Sequence, residues 1–214
     1  EAASGTSAAD TFAFLKVCGQ FAVPLPMGEI LLGYSWGMGK LEPCQGLVSI
    51  GRQHGDGATQ VPWGRRAARV FAVQRELLTV AVTDSPACLE EDANMAGEAR
   101  DRVAFGGQSH QIVLRDDPFA QMALARTNVM AGTLQAVLDL GLQFAAEREQ
   151  FGRSISKFQA IQHSLAVVAA EVAAAQRAAD AGVDALGTDR FIAEVAASKA
   201  RVGEAVGIVA EQVH

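Results

Sequence analysis

EREQFGRSISKFQ, residues 147–159, is the stretch on which the reading of this chain turns. A helical pattern enters it from one side and a second leaves on the other. Upstream, residues 117–146 place Leu134, Leu138, Gly141 and Ala145 on one stripe. Downstream, Phe158, Ile161, Leu165, Val168, Val172, Ala175 and Ala179 recur at alternating spacings of 3 and 4, a seam that faces another helix. Ser156 is the expected N-cap of that second helix. Ala169, Ala170, Ala173 and Ala174 are expected to let helices approach closely. A further helix begins near Thr188 or Asp189 and shows a face of Phe191, Val195, Val202, Val206, Val209 and Val213. Asp116 and Asp117 suit the N-terminus of the first helix. Three long antiparallel helices make an up-down bundle, to which a fourth beyond residue 214 would add.

The quoted connection holds two arginines, a glycine and an aromatic within six residues, 148–153. Arginine offers a rigid fork of donors that matches phosphate. Phe151 offers a flat ring, and Gly152 permits a sharp turn. The start of the next helix adds the positive end of its dipole. Arg148, Gln150, Phe151 and the helix start therefore suit a phosphorylated aromatic ligand. The same residues admit a plainer arrangement, in which Phe151 plugs the bundle and Arg148 pairs with an acidic neighbour.

Away from this segment the chain changes character twice. Residues 1–35 carry helical signals interrupted by Pro24 and Pro26. Residues 36–116 place short apolar runs between glycines and prolines: 46–50, 68–73, 77–82, 102–105 and 111–114. Such runs separated by turn residues argue for strands in a small barrel or sandwich. Asp84-Ser85-Pro86 is the expected turn among them. The fold class is thus α+β and multidomain: a remnant of a helical domain (1–35), a middle β domain (36–116) and a C-terminal bundle (117–214).

A net charge of −6 and a pI near 5.2 argue against nucleic acid and anionic membrane as partners. Cys18, Cys44 and Cys88 are few and unpaired in spacing, which fits reduced thiols in a cytoplasmic protein and no zinc site. No uninterrupted apolar run reaches membrane-spanning length, and no signal peptide opens the chain. Glu1 rather than Met comes first and the helical pattern still runs at Val213, so a longer polypeptide is expected. There is no Gly-rich phosphate fingerprint. His54, His110 and His163 are scattered, and no Ser/His/Asp constellation surrounds Ser164 or Ser198.

Residues 148–153, with Phe158-Gln159, Leu165-Ala166, the upstream 135–139 and the tail 196–212, resemble the C-terminal helical domain of acyl-CoA dehydrogenases. The resemblance covers 117–214 well and 1–115 loosely. It implies an N-terminal helical domain, a middle β domain and a four-helix bundle, with FAD as cofactor. It further implies that Arg148 contacts the FAD pyrophosphate of a neighbouring subunit. Gln150 and Gln159 would also touch that FAD, and Phe151 would lie beside its adenine end. Trp63, within Val61-Pro62-Trp63-Gly64-Arg65, would stand at the flavin wall or else serve as a core or rim aromatic. The family reaction removes two hydrogens from an acyl-CoA, a glutamate taking the α-proton and flavin the β-hydride. The implied partners are an acyl-CoA substrate from fatty-acid or steroid side-chain oxidation, an electron-transfer flavoprotein, and further subunits in a homo- or hetero-dimer or tetramer.

Two departures qualify the resemblance. The family glutamate lies after a Gln-x-x-Gly-Gly segment not reached by residue 214, or near Met122, which is no base; no catalytic residue is assigned. The middle domain has Gly55-Asp56-Gly57 in place of the family's Gly-Ser-Asp stretch. The Val61-Pro62-x-x-x-x-Ala67 run resembles shortened, divergent members of mixed-subunit assemblies, in which one subunit can complete its partner's FAD site.

Overall fold

The computed structural model describes residues 7–75, 77–106 and 109–214. Residues 1–6, the start of the expected N-terminal segment, lie outside the described residues. The chain divides into two compact units: Pro24–Met122, and Glu1–Val23 together with Ala123–His214. Two helices come first, α1 (Ala8–Gln20) and α2 (Met27–Gly37). They fall in different units, so residues 1–35 do not form one remnant of a separate domain. Pro24 and Pro26 interrupt the chain between them.

The Pro24–Met122 unit is built on a mixed seven-stranded sheet of β1 (Leu47–His54), β2 (Gly57–Pro62), β3 (Ala67–Val73), β4 (Thr79–Asp84), β5 (Ala87–Glu90), β6 (Arg100–Ala104) and β7 (Ser109–Val113). The order is β5-β6-β2-β1-β3-β4-β7, with β1 and β3 parallel and the other neighbours antiparallel. Five of these strands fall on the apolar runs of the sequence. The other two lack such a run for physical reasons. β2 bulges at Gln60, whose φ is +54°, and its ladder with β6 shifts register between Ala58 and Val61. β5 is an edge strand exposed along its whole length, so no burial selects apolar residues there. Asp84-Ser85-Pro86 forms the turn between β4 and β5, with Ser85 at φ +51°.

One sheet face packs Ala58, Val61, Val70, Ala72, Ala81 and Val103 into a core. The other face receives α2. There the Trp36 ring meets Phe71 edge-on at 5.8 Å, and Trp36 Nε1–H donates to Gln121 Oε1 at 2.7 Å. Asp101, at 0% exposure, is the one buried aspartate among the described residues. Arg65 holds it with its backbone N–H at 2.7 Å and with Nη2 at 2.5 Å. Burial alone would raise the Asp101 pKa, but hydrogen bonds from the Arg65 side chain and from the N–H groups of Arg65 and Asp92 reverse this and hold it below the ordinary value.

The second unit contains α3 (Pro118–Glu147) beyond Met122, α4 (Gln159–Asp184), α5 (Phe191–Val213) and α1. Asp117 caps α3, accepting from Ala120 N–H at 2.7 Å. The core joins Leu134 of α3 to Val168, Val172 and Ala175 of α4 and Val202, Ala205 and Val209 of α5. By length and composition α3 is apolar enough to cross a membrane, a property that a search for uninterrupted apolar runs does not register. Ala169, Ala170 and Ala173 are exposed and do not mediate helix approach. Close approach occurs instead between α1 and α3. A Cβ on Gly132 would sit 1.8 Å from the Lys16 carbonyl oxygen, and one on Gly19 would sit 2.0 Å from that of Val129.

Gly132→Ala is expected to destabilise the protein by about 3 kcal/mol, because backbone rather than a flexible side chain occupies the space. Chemical denaturation measures this. For Asp101→Asn we expect a loss of about 2–3 kcal/mol at neutral pH. Since folding lowers the Asp101 pKa, its contribution is present above the unfolded value near 4 and fades as pH falls. The stability gap between wild type and Asp101→Asn therefore narrows below about pH 4.

Candidate functional site

The corner between α3 and α4 is a tight piece of hydrogen-bonded backbone. α3 ends where Arg148 N–H donates to Phe144 O at 2.9 Å. Two short strands follow, β8 (Glu149–Gln150) and β9 (Arg153–Ser154), pairing Glu149 with Ser154 and Gln150 with Arg153. Ile155 N–H donates to Arg148 O at 2.8 Å and closes the hairpin. Ser154 Oγ–H reaches back to the free Ala145 carbonyl at 2.7 Å, satisfying one helix-end acceptor. A 3₁₀ turn, Ile155–Lys157, then leads into α4 at Gln159. Ser156 is not the N-cap of α4: its N–H donates to Ser154 Oγ, and Phe158 takes the cap position without a side-chain hydrogen bond.

The hairpin loop is two residues long. Phe151 and Gly152 both have positive φ, +52° and +77°, the requirement of a type I′ turn. Gly suits the second position. Phe at the first is uncommon, because an L side chain in this region costs roughly 1 kcal/mol. The residue is 92% exposed, so it does not plug the bundle. Its nearest aromatic neighbour is Phe158, edge-on at 6.1 Å and 84°. Phe158 in turn lies under the Arg153 guanidinium, 4.4 Å from the ring centroid.

The corner is also locally basic. Arg148, Arg153 and Lys157 form no ion pair among the described residues, although the whole chain carries net charge −6. Arg148 therefore lacks the acidic partner that the plainer sequence reading allowed. Arg148, Gln150, Phe151 and Gln159, the four residues singled out here from sequence, all lie exposed within this one corner. Trp63 belongs to the sheet unit. It is half-buried, has φ +55°, and donates its N–H to Ala99 O at 3.3 Å at the head of a 3₁₀ turn, Gly64–Arg66. Arg153 and Phe158 were not read from sequence as a contact. Their five-residue spacing is neither a helix nor a strand period, and only the 3₁₀ turn brings them together. Among the described residues no three His, Cys, Asp or Glu side chains converge to hold a metal ion.

The helical region that carries this corner has counterparts among known proteins. Residues 116–214 match the model of the acyl-CoA dehydrogenase C-terminal domain. Over these residues the chain is similar to the C-terminal domain of acyl-CoA dehydrogenases. A probable acyl-CoA dehydrogenase of Bacillus subtilis strain 168 is 56% identical over 41 residues, which is 19% of this chain and 11% of that protein. The fold likeness extends much further. The ChsE4-ChsE5 complex from Mycobacterium tuberculosis superposes with a TM-score of 0.76 at 20% identity, covering 98% of this chain and 69% of that one. Butyryl-CoA dehydrogenase from Megasphaera elsdenii gives 0.70 at 14% identity, covering 98% and 72%. The acyl-CoA dehydrogenase architecture thus embraces both units, the sheet and the helical region.

Gly152→Ala tests the turn. Nothing lies within 4 Å of an added Cβ there, so only the positive φ opposes the substitution. A loss of about 1 kcal/mol is expected in thermal denaturation, well short of that at Gly132.

Proposed function

We propose that this chain is a subunit of an FAD-dependent acyl-CoA dehydrogenase, and that its α3–α4 corner holds the diphosphate of an FAD seated mainly in another protomer. The observation that carries this reading is the unpaired basic corner with its projecting ring. An exposed guanidinium without a carboxylate partner is available to an anion. Arg148 supplies two parallel donors for a phosphate, and Gln150 and Gln159 add uncharged donors and acceptors around it. Phe151, held clear of its own bundle, offers a face or edge to the adenine. These groups fit a dinucleotide and would bind it from one side only, which is why the proposal places the remainder of the site elsewhere. Bound FAD would supply the hydride acceptor for α,β-dehydrogenation of a CoA thioester. Trp63 is proposed as a wall residue of a flavin site. An electron-transfer flavoprotein is the proposed electron acceptor, by analogy with the family.

Assembly is part of the same proposal. Leu140 and Phe144 stand one turn apart on α3, next to the corner, and are 65% and 62% exposed. Large apolar side chains so placed are suited to burial by a neighbouring subunit. A second reading is supported by the ChsE4-ChsE5 complex among the similar structures. In that reading the chain is a non-catalytic subunit that completes the FAD site of a homologous partner. Flavin content and acyl-CoA oxidation of the full-length protein, alone and with a homologous subunit, separate the two.

Arg148→Ala in the full-length assembly is expected to weaken FAD binding by about 10- to 100-fold, the worth of one charged hydrogen-bonding group. Equilibrium titration of the apo-assembly with FAD measures it. Unchanged affinity would remove the corner from the cofactor site.

A further inference from the structure

The exposed ring of Phe151 poses a physical problem. It sits on a turn residue with φ +52°, with most of its surface in water. Left to itself, such a side chain samples several rotamers and would have to give up that freedom on meeting a flat ligand. The corner contains a device that limits this freedom. Phe158, anchored at the start of α4 by donating its N–H to Ile155 O at 3.0 Å, presents its ring to Phe151 edge-to-face. Arg153 covers Phe158 at 4.4 Å. Arg153 is also the direct cross-strand partner of Gln150 on the two-rung hairpin, so the two share one side of it. One guanidinium thus adjoins Gln150 of the proposed cofactor site and the ring that meets Phe151, while forming no ion pair among the described residues.

We propose that Arg153 is a positioning residue for cofactor binding, acting through Phe158 to hold the Phe151 ring ready for the flat end of the dinucleotide. The inference rests on the FAD reading of this corner and adds to it a residue outside the expected contact set. Its basis is the ladder Arg153–Phe158–Phe151. The stacked cation fixes the attitude of the first ring, and the first ring limits the rotamers of the second. A bound adenine then meets a ring already in place, and less ordering entropy is lost on association.

The test is a double-mutant cycle in the full-length assembly, read as FAD dissociation constants. Arg153→Met keeps the stem and removes the stacked cation; it is expected to weaken FAD about threefold to fivefold, the range of one exposed cation–π contact. Phe151→Ala removes the positioned ring. In the Phe151→Ala background, Arg153→Met should have no further effect, since its route to the cofactor is gone. Arg153→Lys, which keeps the charge but not the planar stack, should recover only part of the loss. Additive effects of Arg153→Met and Phe151→Ala, or full recovery by Lys, would overturn the positioning role and leave Arg153 as a distant charge. No effect of Arg153→Met on FAD would overturn it equally. Arg148→Ala measured alongside separates the two levels. If Arg148→Ala leaves FAD affinity unchanged, the cofactor reading itself fails. If it lowers affinity while the cycle is additive, the cofactor reading stands and only the positioning role falls.

Discussion

One hydrogen-bonded rung governs the helical unit. Where α3 stops, Ile155 N–H closes on Arg148 O and Ser154 Oγ–H on Ala145 O. These bonds turn the chain through two strands of two residues and deliver it to α4. A helix of this length leaves carbonyls without partners at its end. Here they are answered by the residues that make the turn, so ending one helix and aiming the next are a single event. A longer, looser loop would also join α3 to α4, but it would not present Arg148, Phe151 and Arg153 in a fixed relation.

That rigidity carries local costs. Phe151 occupies a backbone region that favours glycine or asparagine, and its apolar ring faces water. Three cations stand within ten residues and form no ion pair among the described residues, although Glu147 and Glu149 flank Arg148 in sequence. Neither feature benefits an isolated bundle, and both match what a flat dianionic ligand would need. Strain and unpaired charge of this kind concentrate at binding sites. They are the physical ground for the proposed cofactor role, independent of the family resemblance.

The two compact units are stabilised by different means. In the sheet unit a fully buried carboxylate, Asp101, ties β6 to the 3₁₀ turn through Arg65 and is kept ionised by it. In the helical unit the decisive contact is the absence of side chains at Gly19 and Gly132, which lets α1 and α3 meet at backbone distance. Thr133 Oγ–H exploits that closeness by donating to Gly19 O at 3.1 Å, across from one helix to the other. The first helix of the chain is thereby a member of the bundle unit, and helices one to four of that unit come from both ends of the sequence.

The sequence by itself determined the three long helices, because apolar side chains recur at a period that only a helix can bury; the core residues Val168, Val172, Ala175, Val202 and Val209 lie on the stripes it displays. It determined five strands through their apolar runs, the Asp117 cap through local side-chain geometry, and the clustering of Arg148, Gln150, Phe151 and Gln159 through plain adjacency. The tertiary structure decided what depends on contacts distant in sequence or on backbone angles. The partition of residues 1–35 rests on which surface each helix packs against, and no local pattern encodes that. Strand β2 is defined by its ladder partners, and β5 by an edge with no burial to mark it. Whether Phe151 enters the bundle or leaves it was open in sequence, since one residue type serves both; a positive φ, set by hairpin closure, turned it outward. Arg153 meets Phe158 only because a 3₁₀ turn folds a five-residue separation back upon itself.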